Sequence, residues 1–97
     1  MITKVIELHQ LGELVKAEQL YLMILKEDPL NPDAMHLLGL IEYQRKNYIN
    51  AKELIEKAIA IRNEPGYYSN LILVYLELKQ YEKALETLGQ LQLLCAS

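Results

Sequence analysis

Phenylalanine and tryptophan are absent from this sequence, and cysteine occurs once, as Cys95. A single thiol closes no internal disulfide and points to a reducing compartment, so the cytoplasm is the expected location. Long apolar runs are missing as well. LYLMIL (20–25) and LILVYL (71–76) fall far short of a membrane span. The N-terminal MITKVIELHQ lacks the uncharged stretch of a secretory signal. Basic residues number ten against thirteen acidic ones, a net charge of −3, and they are scattered rather than gathered in a stripe. Phosphate neutralisation needs such a stripe, so neither nucleic acid nor membrane is an expected partner.

Glycine and proline are sparse, four and three in 97 residues, while Leu, Ile, Ala, Glu, Lys and Tyr dominate. That composition belongs to an all-α chain. Its length suits one domain, 1–97. Within it, Gly39 interrupts an otherwise helical stretch, LGLIEYQRKNYINAKELIEKA (38–58). Glycine in a helix interior costs about 1 kcal/mol relative to alanine, which calls for a packing reason.

Self-comparison supplies one. AEQLYLMIL (17–25), AKELIEKAI (51–59) and ALETLGQLQ (84–92) align, with Ala17, Ala51 and Ala84 leading and Tyr21, Ile55 and Leu88 four places on. Leu14, Tyr48 and Tyr81 stand three places before each alanine. The blocks MHLLGLIEY (35–43) and YSNLILVYL (68–76) also match, and ITKVIELHQ (2–10) falls in the same register. Pro32 and Pro65 each suit the first position of a helix, where a missing N–H costs nothing, with Asn31 capping the first. Pro29 closes the helix before them. Six helices are expected at 2–10, 14–27, 32–45, 48–61, 65–78 and 81–94, paired as hairpins. Gly39, Ala51 and Ala58 are then small because two helices cross closely there.

Two-helix units of this length, with large-x2-Leu-Gly, Ala-x3-large and Pro in order, resemble tetratricopeptide repeats. The middle unit carries Met35, Leu38, Gly39, Tyr48, Ala51, Ile55 and Ala58. The third carries Tyr68, Leu71, Tyr75, Tyr81, Ala84 and Leu88, and the first carries Leu8, Leu14, Ala17, Tyr21 and Pro29. Glu42 departs from the usual tyrosine, and Val5 and Ile72 from the glycine. The resemblance implies three repeats, about 1–31, 32–64 and 65–97, in a short right-handed arc.

It also implies where function lies. In such proteins the concave face lined by each unit's first helix binds peptides. By register that face comprises Ile6, His9 and Gln10, then His36, Leu37, Leu40, Tyr43 and Gln44, then Ser69, Asn70, Leu73, Leu76 and Glu77. Members that clamp a peptide carboxylate use Lys, Asn and Arg; this chain has Ile2, Ile6, Leu37, Gly66 and Asn70 there, so that clamp is not expected. The groove is apolar instead and suits an amphipathic helix or hydrophobic peptide.

Catalytic chemistry finds no footing. His9 and His36 lack the third and fourth ligands a metal needs and are read as surface polar residues. Cys95 has no CxxC partner and is read as a small apolar filler. Glu53/Lys57 and Lys52/Glu56 are read as solvated i,i+4 pairs. No enzyme, cofactor or metal is expected. Leu88, Leu91, Leu94 and Cys95 face where a fourth repeat would pack, and such a bare face invites association with another copy. The alternative expectation is a repeat segment of a larger protein, since LLGLI (37–41) followed by the run at 51–59 looks like arrays ahead of bacterial glycosyltransferase domains.

Overall fold

The computed structural model describes residues 13–96. The described residues form five helices and no strand: α1 (Leu14–Glu27), α2 (Pro32–Gln44), α3 (Tyr48–Ile61), α4 (Pro65–Glu77) and α5 (Tyr81–Ala96). Each packs on the next, and α2 also touches α4. The expected helix at 2–10, and with it the sixth helix, lies outside the described residues.

Local signals set the helix starts. Asn31 Oδ1 accepts the backbone N–H of Ala34 at 3.0 Å, and Pro32 takes the first helical position. Pro65 does the same for α4, without a side-chain cap from Glu64. Helices α2 and α4 stop one residue earlier than expected because the chain turns left-handed: Lys46 has φ 65° and Lys79 φ 59°. The Asn47 N–H then reaches back to the Glu42 carbonyl at 2.8 Å, and the Gln80 N–H to that of Tyr75 at 2.9 Å. Both closures satisfy carbonyls that a helix end leaves open. α5 meets no such stop and runs two residues past its expected end.

The core follows the repeat. Ala17 and Ala51 are completely buried, and Ala84 nearly so. Ala17, Tyr21, Leu38 and Ile41 form one cluster; Ala51, Ile55, Ala58, Tyr67, Leu71, Val74, Tyr75 and Ala84 form the other. Full burial of Ile41, Ile55 and Val74 contributes about 1.5–3 kcal/mol each. Gly39 is buried against α3: a Cβ there would lie 3.3 Å from the Ala51 carbonyl oxygen and 3.4 Å from Leu54 Cβ. The close crossing is real for Gly39 and Ala51. Ala58 belongs to the cluster that α3 shares with α4 and α5.

Candidate functional site

Helices α2 and α4 lie side by side, and side-chain contacts join residues 34 apart, one more than the register between these two helices. Tyr67 donates its hydroxyl proton to Asp33 Oδ1. The Asn70 amide meets His36 Nε2 at 2.8 Å. At the far end burial first, and then the charge of Glu77, raises the Tyr43 phenol above its ordinary value. The first two contacts join α2 to α4 along one face.

The sequence-predicted residues divide along it. Leu73 and Leu76 on α4 are 47% and 45% exposed. Leu40 and Tyr43 on α2 are half-buried, and Tyr43 also meets Tyr48 edge-on at 5.5 Å between ring centres. Leu37 is half-buried because it packs against the Ala17–Tyr21–Leu38–Ile41 cluster, so part of it belongs to the core. Gln44 and Glu77 are exposed at the rim. The Ser69 hydroxyl donates to its own helix, at the Pro65 carbonyl, 3.2 Å away. Ile6, His9 and Gln10 lie outside the described residues.

A polar network closes the other end. Arg62 Nη2 donates to Asp33 Oδ1 at 2.6 Å and to the Tyr67 hydroxyl oxygen at 2.9 Å, while Arg62 Nε pairs with Glu64 at 3.1 Å. The His36 ring rests on Tyr67 with 4.5 Å between centres. Asp33, His36, Leu37, Arg62, Glu64, Gly66 and Tyr67 line an open hollow of about 360 Å3. Burial alone would raise the Asp33 carboxyl, but the hydrogen bonds from Tyr67 and Arg62 hold it below the ordinary value. Burial and the Asp33 carboxylate push the Tyr67 phenol up to about 12.

On the opposite side the two joints differ. Arg45 joins α1 to α2 through Glu18 at 2.8 Å and Glu42 at 3.4 Å. Glu42 also accepts from Asn47 and Asn50. One repeat on, the Tyr75 hydroxyl donates to Glu56 at 2.6 Å and ties α4 to α3. Glu42 thus replaces a tyrosine-to-carboxylate contact with an ion cluster.

The model of the family described as anaphase-promoting complex, cyclosome, subunit 3 matches residues 10–91. The chain belongs to that family. It is a tetratricopeptide-like repeat family, so the resemblance read from Gly39, Ala51 and Tyr75 holds. Among solved structures, that of the "MamA D159K mutant 2", a tetratricopeptide protein, superposes with a TM-score of 0.81 at 18% identity. The match covers 95% of this chain and 51% of the other, so the chain spans about half the length of that neighbour. At that identity the likeness concerns the fold alone. No curated protein matches the sequence.

The family is one of generally non-catalytic interaction modules. Among the described residues, no group of three or more His, Cys, Asp and Glu is placed to hold a metal. No helix among them is long and apolar enough to cross a membrane. Three local expectations need correction. His36 is no plain surface residue, because Asn70 and the Tyr67 ring hold it between α2 and α4. Cys95 is exposed rather than packed as a filler, because no described residue covers it. Glu56 turns to Tyr75 instead of Lys52, and no ion pair joins Glu53 to Lys57.

Sequence reasoning missed Asp33, Arg62, Glu64 and Tyr67 as members of the site. Asp33 stands in the first turn of α2. Its separation of 34 from Tyr67, within one residue of the repeat register, was the available signal. Arg62 lies between α3 and α4, outside any periodic pattern, and carried none.

Proposed function

We propose that the chain is a non-enzymatic protein-interaction module whose groove, walled by α2 and α4, takes the apolar face of a peptide or helix from another protein. The observation that carries this reading is the exposure of Leu73 and Leu76, 47% and 45%, beside half-buried Leu40 and Tyr43. Large apolar side chains left open along one wall gain about 25 cal/mol for each Å2 a ligand covers. His36 and Asn70, fixed against each other, supply polar groups that orient the ligand without competing for it as free charges. In the same reading α1, α3 and α5 are the second helices of three repeats. The single thiol fits a reducing cytoplasmic setting.

The test is selection from a library of amphipathic helical peptides, followed by titration of the winners against Leu73→Glu and Leu76→Glu. Both sites are exposed, so helicity by circular dichroism should stay unchanged while affinity falls about tenfold or more. Winners that bind both variants as well as the wild type would overturn the groove as the site.

A further inference from the structure

Helix α5 shows an outward face that its counterparts do not have. In the repeat register Tyr21, Ile55 and Leu88 share one position; the first two are completely buried, whereas Leu88 is 40% exposed. The position three residues earlier is charged in the other units, Glu18 and Lys52, but is Leu85 in α5, 70% exposed. Tyr81, 61% exposed, lies four residues before it. Tyr81, Leu85 and Leu88 thus form a stripe at i, i+4 and i+7, which half-buried Leu91 and exposed Cys95 continue.

An aromatic, a leucine and an aliphatic residue at that spacing occur once more among the described residues. Tyr67, Leu71 and Val74 of α4 stand at i, i+4 and i+7 and share one buried cluster with Ile55 of α3. Aromatic, leucine, aliphatic is therefore the set with which this fold covers the Ile55 position, and α5 presents the same set to solvent. After Glu86 the helix has no charged residue up to Ala96.

From this we infer that α5 docks on α5 of a second copy, antiparallel, about a two-fold axis at Leu88. The stripe is self-complementary in that arrangement. Tyr81 and Cys95 lie equally far from Leu88 on either side, as do Leu85 and Leu91, so Tyr81 meets the partner's Cys95 and Leu85 meets the partner's Leu91. A parallel pair would set Glu82 and Glu86 against their own copies. The antiparallel pair sets the charged first third, Glu82, Lys83 and Glu86, against the uncharged last third, with opposed helix dipoles. One helix per copy supplies roughly half of the ~800 Å2 per partner that stable complexes bury, so the association is weak and concentration-dependent. This face is separate from the groove and leaves it open.

The experiment is light scattering of the 97-residue chain over a concentration series, beside L85E and Y81C. L85E places an acid where the register already tolerates Glu18, so its circular dichroism should match the wild type; its dimer should dissociate at about tenfold lower concentrations or show none. Under diamide oxidation Y81C should give a disulfide-linked dimer through Cys95 of the other copy. The wild type should not, because the two Cys95 sulfurs stand roughly 20 Å apart in the antiparallel pair. A monomer at every concentration would overturn the proposal and hand the stripe to a helix of another protein. A dimer undiminished by L85E, or a wild-type dimer readily linked through Cys95 alone, would overturn it too.

Discussion

A Cβ added to Gly39 would lie 2.9 Å from Cγ1 of Ile55, closer than such atoms approach in folded proteins. At Gly89 in α5 an added Cβ would meet nothing within 4 Å. Both glycines stand in helix interiors, so intrinsic propensity favours alanine at each by about 1 kcal/mol. The surroundings decide the sign. Gly39→Ala should destabilise by about 1–3 kcal/mol through overpacking, against Gly89→Ala stabilising by about 0.5–1 kcal/mol. Urea unfolding of the two variants checks both signs at once.

Lys46 and Lys79 occupy left-handed backbone at matching hairpin turns, φ 65° and 59°. Glycine is the residue that adopts this conformation without a Cβ penalty. Lys46→Gly and Lys79→Gly should each stabilise the fold by about 0.5–1 kcal/mol, measured as a shift in the urea midpoint. No change in either would mean the lysine side chains make compensating contacts.

The Asp33–Tyr67 contact should make stability depend on pH at both extremes. Asp33 is held below its ordinary value near ~3.9, so its contribution is present above that value and fades as pH falls through the lower folded one. The stability gap between wild type and Asp33→Asn should therefore narrow below about pH 4. Tyr67 is raised to about 12, so its contribution is intact below the unfolded value near ~10 and fades as pH rises from there towards 12. Tyr67→Phe should cost about 1 kcal/mol at pH 7 and flatten part of the alkaline decline. Urea midpoints at pH 3, 7 and 11 provide the check.

The Tyr75–Glu56 contact makes a parallel prediction on the other side of α4. Burial first, and then the hydrogen bond to Glu56, raises the Tyr75 phenol. A raised phenol contributes stability below the unfolded value near ~10 and loses it above. Glu56→Gln keeps an acceptor but removes the charge, so the Tyr75 phenol should titrate at lower pH, read by ultraviolet difference absorbance. An unchanged titration would leave burial and the charge of Glu86 as the causes.

Much of the fold was legible because it depends on short-range rules. Pro32, Pro65, Asn31 and the alanines at 17, 51 and 84 fixed where helices begin and which faces turn inward, and α1 and α3 have the bounds the spacing predicts. Gly39 announced a close crossing for the same reason: a residue that weakens its own helix must be offset by a neighbour. Which polar residues meet across helices was settled only by the tertiary structure. The repeat register matches Asp33 with Gly66 and His36 with Ser69, yet the contacts run one residue further, to Tyr67 and Asn70. Periodicity names equivalent positions on two helices, while contact depends on how one helix is shifted and rotated against the other. Arg62, in the connection that carries out that shift, reaches Asp33, Tyr67 and Glu64 together only once α2, α3 and α4 are packed.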